Sequence, residues 1–498
     1  MHDLLPSLPG QLNQVINSLP YFIPELYLSA LFILVLVTDL VFGKGSAWIC
    51  RILVCVGLLV VIFHDLVQVR LVITAGQLFF GEMLLLTHTS LFFKLIIDVL
   101  SVALLLFFEW DDELGSHTKG LSDLYSISIA VIFGLHLMAM ASNLLSIYLS
   151  VEMVSIGSYL MVAYKSERGL GSEAGLKYVL FGAASSAIML YGISLLYGFG
   201  GALSLFNGEL ALGLSHVNPV SVSFALVLFF VGMGFKLSIV PMHFWVPDVY
   251  QGTPAPIAAF LSTVVKIAAF SLLVNFLTPF LYPQWHAFDF RLFLSVIGII
   301  TMVAGNFAAT LQHNIKRMLA YSSIAHTGFA LMALVTFSGQ GLSVLAFYLF
   351  AYALANIGAW MLASYFADAA GAEDMNSYKG LGFKYPLAGV CFVILLISLT
   401  GLPLTAGFYG KFLTFSAVYQ VYQQGHNLWL LLLMITGAVT TVVSLFYYIK
   451  IPLNLFLRKT DRTTGFAAAN PFLLTSIAII TILVLYLGLF PDILTKYL

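Results

Sequence analysis

Apolar runs long enough to cross a lipid bilayer follow one another along almost the whole chain, and they limit its possible folds more than any other feature. An α-helix needs about 20 predominantly apolar residues to span a membrane. Because backbone polar groups in the hydrocarbon region must find partners inside the protein, runs of this length are predicted to be helices. Hydrophobic residues make up 61% of the 498 positions and charged residues only 9%, which excludes an ordinary soluble domain. The sequence predicts an all-α polytopic membrane protein.

We predict about 14 transmembrane helices, with no soluble domain between them. The predicted spans lie at 21–43, 49–69, 85–108, 124–141, 143–164, 174–199, 221–247, 255–282, 291–310, 317–337, 341–368, 385–421, 428–450 and 472–495. The first helix is expected to be retained, because the segment before it lacks the basic region of a secretory signal.

Basic residues concentrate in the loops that follow odd-numbered spans. These loops contain Lys44, Arg51, Lys119, Lys165, Arg168, Lys316, Arg317, Lys379, Lys384, Lys450, Arg458, Lys459 and Arg462. The other loops and the C-terminal end contain only Arg70, Arg291 and Lys496. Cytoplasmic loops carry an excess of Lys and Arg, so both termini are predicted to face the outside.

Five lysines remain inside the predicted spans, where a charge at the helix centre costs about 2.5–3.5 kcal/mol. They are Lys94, Lys177, Lys236, Lys266 and Lys411. Lys94 precedes Asp98 by four residues, which predicts a local structural pair on one helix face. Lys177 follows a basic loop closely, so it is either a lysine that snorkels to the surface or a functional group.

Lys236 and Lys266 lie about a dozen residues from either end of their spans, too deep to snorkel, which favours a functional reading. Glu152 is equally deep and has no basic residue within one helical turn. We therefore expect Glu152 and Lys236 to interact directly or through one water. Making and breaking such a pair can load and release a proton, which is the chemistry of a proton relay.

Two predicted spans are interrupted near a lysine. Pro241 and Pro247 remove backbone donors from the seventh span, and LTGLPLTAGFYGKF interrupts the twelfth just before Lys411. Paired interruptions in corresponding halves indicate inverted repeats. We predict two inverted five-helix repeats, spans 4–8 and 9–13, with broken helices 7 and 12. The resulting division is 1–120 (three helices), 121–285 (first repeat), 286–452 (second repeat) and 453–498 (last helix).

His326 lies about ten residues into the tenth span, in YSSIAHTGF. A neutral imidazole can relay protons at physiological pH, but a single histidine can also simply be hydrogen-bonded within a bundle. His243 is expected nearer the surface. Four polar groups on four helices are most cheaply accommodated by one wet interior, so we expect Lys236, Lys266, His326 and Lys411 to share a hydrated path.

The cysteines give no sign of a metal or cofactor site in this chain. Cys50, Cys55 and Cys391 lie in or beside apolar runs, without a CxxC motif or a His/Cys pair at metal-ligand spacing. Net charge near zero gives no reason to expect nucleic acid as a partner.

Four motifs carry a resemblance to a known family. GMGFKLSIVPMHFWVPDVYQGTPAP (232–256), the glutamate of VEM, SSIAHTGF and LPLTAGFYGKF resemble the antiporter-like membrane subunits of respiratory complex I, NADH:quinone oxidoreductase, and more widely the subunits of multisubunit cation/proton antiporters. The lysine in GFYGKF and the number of spans are most similar to the N-type (NADH dehydrogenase subunit 2) members.

The resemblance implies a role for each buried charge. Glu152 would pair with Lys236, Lys177 would lie beside that pair, Lys266 would connect the two halves, and Lys411 would release protons toward the outside. It also implies proton translocation coupled to quinone reduction elsewhere, with NADH, FMN, iron–sulfur clusters and quinone in other subunits. Other membrane subunits of the complex and lipids are the implied partners, and a bacterial inner membrane is the implied location.

Two other functions stay open from the sequence. The chain could be a subunit of a stand-alone cation/proton antiporter, or a structural scaffold whose buried charges only specify helix packing. Copurification with redox subunits separates the first alternative from the complex I reading, and neutral lysine substitutions that spare assembly but abolish pumping exclude the second.

Overall fold

A computed structural model describes residues 8–71, 76–117, 120–167, 169–281, 285–458 and 470–496. Four basic residues used above for the orientation, Lys119, Arg168, Lys459 and Arg462, lie outside these ranges. In the described ranges the α-helices are α1 Leu8–Ser18, α2 Ile23–Phe42, α3 Ala47–Leu71, α4 His88–Trp110, α5 Asp112–Gly115, α6 Ser122–Met140, α7 Leu144–Val162, α8 Gly169–Gly200, α9 Glu209–Ser215, α10 Pro219–Leu237, α11 Trp245–Gly252, α12 Ala255–Ser262, α13 Val264–Leu277, α14 Phe290–Thr310, α15 Ile315–Leu334, α16 Gly339–Ala370, α17 Leu381–Lys384, α18 Pro386–Thr400, α19 Ala406–Gly425, α20 Leu428–Tyr448, α21 Lys450–Pro452, α22 Pro471–Leu489 and α23 Asp492–Thr495.

The remaining regular structure is small. An antiparallel hairpin joins β1 Gln77–Phe79 to β2 Leu84–Leu86, with Gln77 opposite Leu86. Short 3₁₀ turns lie at Leu19–Tyr21, Gly43–Gly45, Ala163–Lys165, Thr278–Phe280 and Met375–Tyr378. One π-helical turn lies at Leu453–Leu457.

The predicted all-α fold with fourteen spans is confirmed. Twelve segments of the described chain are long and apolar enough to cross a membrane. The other two crossings are α15, whose first turn carries two basic residues, and the pair α18 and α19, in which neither helix is an unbroken apolar span. In order, spans 1–14 are α2, α3, α4, α6, α7, α8, α10 with α11, α12 with α13, α14, α15, α16, α18 with α19, α20 and α22. Because spans 4–8 and 9–13 each contain an odd number of crossings, the second unit is inverted relative to the first.

Burial shows which spans form the centre of the bundle. In span 8, 100% of the apolar segment is buried, and in α16 83% is buried. In α2, α3, α20 and α22 the buried share of the apolar segment is only 22–33%. The outer helices are nevertheless apolar all round, which suits a surface that faces lipid or other membrane subunits. The central spans are therefore the ones able to hold polar groups away from lipid.

The predicted interruptions in spans 7 and 12 are present. Helix α10 ends at Leu237, and Ser238 adopts a left-handed conformation before the chain turns into α11. Helix α18 ends at Thr400, and Gly401, with φ +86°, occupies the corresponding left-handed position. Pro247, by contrast, lies in the first turn of α11, where a missing N–H costs nothing, and it does not interrupt a helix.

A third interruption lies in span 8, at a position that no Gly or Pro marks in the sequence. Helices α12 and α13 meet at Thr263, whose φ of −121° and ψ of −84° are not helical. The hydroxyls of Ser262 and Thr263 both donate to the carbonyl of Ala259. Such local side-chain bonds compete with the helical ladder. The break places Lys266 in the first turn of α13.

Close backbone contact between α14 and α15 depends on Gly305. A methyl group at this position would lie 2.6 Å from the backbone nitrogen of Ala325, next to His326. We expect Gly305→Ala to force the helices apart and destabilise the protein by about 1–3 kcal/mol. Thermal unfolding of the purified chain in lipid measures this. Gly198→Ala in α8 is the control, because a methyl group there meets nothing within 4 Å. Equal stability of the two variants would contradict the packing argument.

Candidate functional site

Lys266 is held by oxygen atoms of span 10. Its Nζ donates to the Ser323 carbonyl at 2.9 Å, to the Ser323 hydroxyl at 2.9 Å and to the Thr327 hydroxyl at 3.0 Å. The side chain is 2% exposed. Three acceptors match the three donors of an ammonium group, so the site solvates the charged form without a carboxylate partner.

His326 connects three helices of the second repeat. Its Nδ1 lies 2.7 Å from the Tyr348 hydroxyl on α16, and its Nε2 lies 3.4 Å from the Tyr448 hydroxyl on α20. The Tyr448 hydroxyl also contacts the hydroxyl of Ser322. The charges of Lys266 and Lys411 both act on the imidazole. A ring with one hydroxyl at each nitrogen can accept a proton on one side and donate on the other.

Lys411 uses the break in span 12. Its Nζ donates to the Thr400 carbonyl at 2.8 Å, at the C-terminal end of α18, where the helix dipole favours a cation. The same ammonium lies 4.5 Å from the centre of the Phe329 ring, in cation–π geometry. A methyl group at Gly401 would lie 2.6 Å from the Lys411 side chain. Gly401 thus both permits the left-handed turn and leaves room for the Lys411 side chain.

Glu152 and Lys236 act on each other electrostatically but are not in contact. Within the described ranges no ion pair of 4.0 Å or less joins them, and neither Glu152 Oε1 nor Lys236 Nζ has a hydrogen-bond partner in the protein. Of the two expected forms of this interaction, direct contact is not formed in this conformation, and contact through one water stays a prediction. The Tyr250 hydroxyl lies near the side chains of Ser238 and Ser323, and it has no hydrogen-bond partner among the described residues.

Lys177 lies in an ionic group near the surface. Its Nζ is 2.6 Å from both Glu173 and Asp248, and Arg317 contacts the other oxygen of Asp248 at 2.7 Å. The Asp248 carboxylate therefore lies between two cations, Lys177 and Arg317. The lysine side chain is 35% exposed. This placement matches the snorkelling alternative.

A polar face along α16 was missed by the sequence analysis. Its members are four residues apart, so each lies next to the following one on the helix surface, and the row winds about 40° around the helix at each step. Asn356 donates to the Ser262 hydroxyl at 2.7 Å, and Ser364 donates to Asp111 at 2.6 Å. The face runs from the basic-loop end of the bundle to His326 and consists of Tyr348, Tyr352, Asn356, Trp360, Ser364 and Asp368. The repeated spacing was visible in the sequence and could have revealed it.

A family model described as "NADH:quinone oxidoreductase/Mrp antiporter, TM" matches residues 141–444. The chain belongs to this family. The chain is 38% identical over 462 residues to an NADH-quinone oxidoreductase subunit N 2 of Chloroherpeton thalassium, covering 91% of this chain and 89% of the relative.

Two solved structures share the family fold. A chain of respiratory complex I from Thermus thermophilus is 28% identical, covers 95% of this chain and 98% of its own length, and superposes with a TM-score of 0.76. A chain of the Mrp complex from Dietzia sp. is 17% identical, covers 96% of each chain and superposes with a TM-score of 0.79. At 17% identity the second likeness concerns the fold alone.

The local Lys94–Asp98 pair that the sequence predicted is wrong for this family member. Lys94 Nζ lies 2.7 Å from Glu25 and 2.9 Å from Asp65, whereas Asp98 lies 2.9 Å from His136. The spacing rule could not reveal this, because the partners come from other helices. Lys94 is consequently the centre of a buried ionic cluster.

Lys94→Ala should destabilise the protein by about 3–5 kcal/mol, because it leaves the buried carboxylate of Glu25 without its countercharge. Thermal unfolding in lipid measures the loss. Lys177→Ala is the matched control, since water can solvate the carboxylates it leaves, and its loss should be much smaller. A Lys94→Ala loss no larger than that of the control would contradict the buried position of the cluster.

Proposed function

We propose that this chain is a proton-translocating membrane subunit of an NADH:quinone oxidoreductase. The observation that carries the proposal is the series of buried basic groups, Lys236, Lys266, His326 and Lys411, on four spans of the two repeats. None has a salt-bridge partner within 4.0 Å in the described part of the chain. Neutral oxygens around Lys266 and Lys411 let each lysine gain or lose a proton without breaking an ion pair.

We assign proton uptake to the polar face of α16. Asp111 and Asp368 lie at its basic-loop end, and Ser364 contacts both carboxylates. Asn356 Oδ1 and Trp360 Nε1 are buried polar atoms that have no partner among the residues the structure describes, as expected of groups that bind water along a route. Tyr352 and Tyr348 complete the face at His326.

Repulsion between a proton on His326 and a proton on Lys411 favours release of the proton from Lys411. Two unit charges about 4–8 Å apart repel by roughly 2–4 kcal/mol at an effective dielectric constant of about 20. A proton that reaches His326 therefore raises the energy of a proton on Lys411. We assign Lys411 as the releasing group, Lys266 as the link between the repeats, and Glu152 as the group whose charge biases Lys236. We place Lys177 at the surface end of this relay, where it pairs with Asp248.

We infer that NADH, FMN, iron–sulfur clusters and quinone are bound by other subunits, and that this chain carries no redox chemistry. The polar interior of the repeats consists of proton-exchanging groups, and the three cysteines lie on separate turns or separate helices. We also propose a bacterial inner membrane as the location, because the named relatives are bacterial. The division of the chain at 120, 285 and 452 remains our prediction.

The relay is tested by Lys266→Ala in the assembled complex. We expect proton pumping to fall by about 100-fold or more, in the range of a lost proton-transfer group, while the complex still assembles. Pumping is measured in vesicles and assembly by native electrophoresis. Lys384→Ala, at the exposed last residue of the short helix α17, is the control and should pump normally. Normal pumping by Lys266→Ala, or equal loss in both variants, would contradict the relay.

The cation/proton antiporter function is the alternative, because the family description covers both classes. The two functions predict different companions. Isolation of this chain in a complex that oxidises NADH supports the proposal, whereas isolation with antiporter subunits only, with transport that depends on sodium, supports the alternative.

Both termini should face the outside, since the basic loops lie at the opposite end of the bundle. Single cysteines at Asn13, Asp492 and Lys384, in a chain without the three native cysteines, test this. The first two should react with an impermeant reagent added outside, and the third only from the inside. Labelling of Asn13→Cys from the inside alone would overturn the orientation.

A further inference from the structure

Five ionisable side chains meet in the N-terminal helices, away from the proposed relay. Glu25 lies on α2, Asp65 on α3, Lys94 and Asp98 on α4, and His136 on α6. Every one of them is 0% exposed. The contacts form a chain from Asp65 to Lys94 at 2.9 Å, Lys94 to Glu25 at 2.7 Å, Glu25 to His136 at 3.0 Å, and His136 to Asp98 at 2.9 Å.

The two contacts of His136 fix the number of protons in the middle of this chain. Each ring nitrogen faces a carboxylate oxygen within 3.0 Å, so each contact contains one proton, on the nitrogen or on the oxygen. Glu25, His136 and Asp98 together therefore carry one negative charge. The ammonium of Lys94 cancels it, and these four groups are neutral as a set.

Asp65 is left outside this balance. Its Oδ1 lies beside Lys94, whose charge is already matched, and its Oδ2 has no hydrogen-bond partner in the described part of the chain. The strongest charges acting on it are Lys94, His136, Asp98 and Glu25, all of them in the cluster. An ionised Asp65 would leave one net negative charge fully buried, which costs several kcal/mol even after relaxation.

Either a proton or a metal ion could remove this charge. Ligand atoms of Asp65, Asp98 and His136 lie within 4.8 Å of one another, a spacing that suits either one. A metal ion there would lie next to the Lys94 ammonium, which already contacts Asp65, and would have to displace a proton from His136. The arrangement therefore favours the proton.

We propose that the cluster is a second proton-binding site, in which Asp65 carries an exchangeable proton in addition to those on Lys94 and His136. The site is independent of the proposed relay, because it uses none of the relay's residues and lies in helices outside both repeats except for α6. Binding and release of this proton change the net charge of the N-terminal helices by one.

Gln68 supplies a route for exchange with water. It lies three residues after Asp65 on α3, so the two side chains share a helix face. Its Nε2 donates to the Tyr21 carbonyl at 3.3 Å, while its Oε1 has no partner. Tyr21 lines a cavity of about 530 Å³ together with Ser18, Gln77 and Glu82, at the N-terminal end of the bundle.

Infrared spectroscopy of the full-length chain in lipid tests the proposal at neutral pH. A protonated, buried carboxylic acid gives a C=O stretching band that shifts in D₂O, and we expect Asp65→Asn to remove one such band completely. The variant should also fold, because asparagine has the shape of a protonated aspartic acid and no charge. Glu209→Gln, at an exposed acid on α9, is the control and should leave the band unchanged.

The exchange route has its own variant. Gln68→Leu should keep the band but slow its shift in D₂O by about tenfold or more relative to the unaltered chain. Three results would overturn the proposal: no band that depends on Asp65, failure of Asp65→Asn to fold, or a stoichiometric metal ion found in the purified chain by elemental analysis. A band that persists and exchanges equally fast in Gln68→Leu would overturn the route.

Discussion

A charge in the interior of a membrane protein must be solvated by the protein itself, and the arrangement of the bundle follows from this requirement. Lys266 takes two oxygens from Ser323 and one from Thr327, whereas Lys411 takes the carbonyl of Thr400 and the face of Phe329. Lys94 instead takes two carboxylates. The relay lysines thus have neutral partners that tolerate loss of the proton, whereas Lys94 cancels the net negative charge of its cluster and must keep its proton.

The architecture was largely predictable because its signals are local. Apolar length gives the spans, and Pro241 and Gly401 mark the breaks in spans 7 and 12. The break in span 8 was not predictable in the same way. It lies at Thr263 in a run without Gly or Pro, and it results from side-chain bonds to Ala259 whose effect depends on the surrounding helices.

The candidate site was predictable only in its charged members. A lysine deep in an apolar span is visible as an exception, and so Lys236, Lys266 and Lys411 could be selected from the sequence. Tyrosine, serine and asparagine are ordinary residues in such spans, and Tyr448 acquires meaning only where α20 packs beside His326. The wrong pairing of Lys94 has the same cause, since residue spacing describes one helix and its partners lie on two others.

The turn at Gly401 ties the protonation of Lys411 to the shape of span 12. The Lys411 ammonium donates a hydrogen bond to the carbonyl of Thr400, the last residue of α18, whereas the Lys411 backbone belongs to α19. The side chain therefore holds the two halves of the broken helix together. Deprotonation of Lys411 removes the positive charge that the C-terminal end of α18 attracts, and it weakens this contact between the two helices. The protonation state of Lys411 and the geometry of span 12 are therefore coupled, because the same contact depends on both.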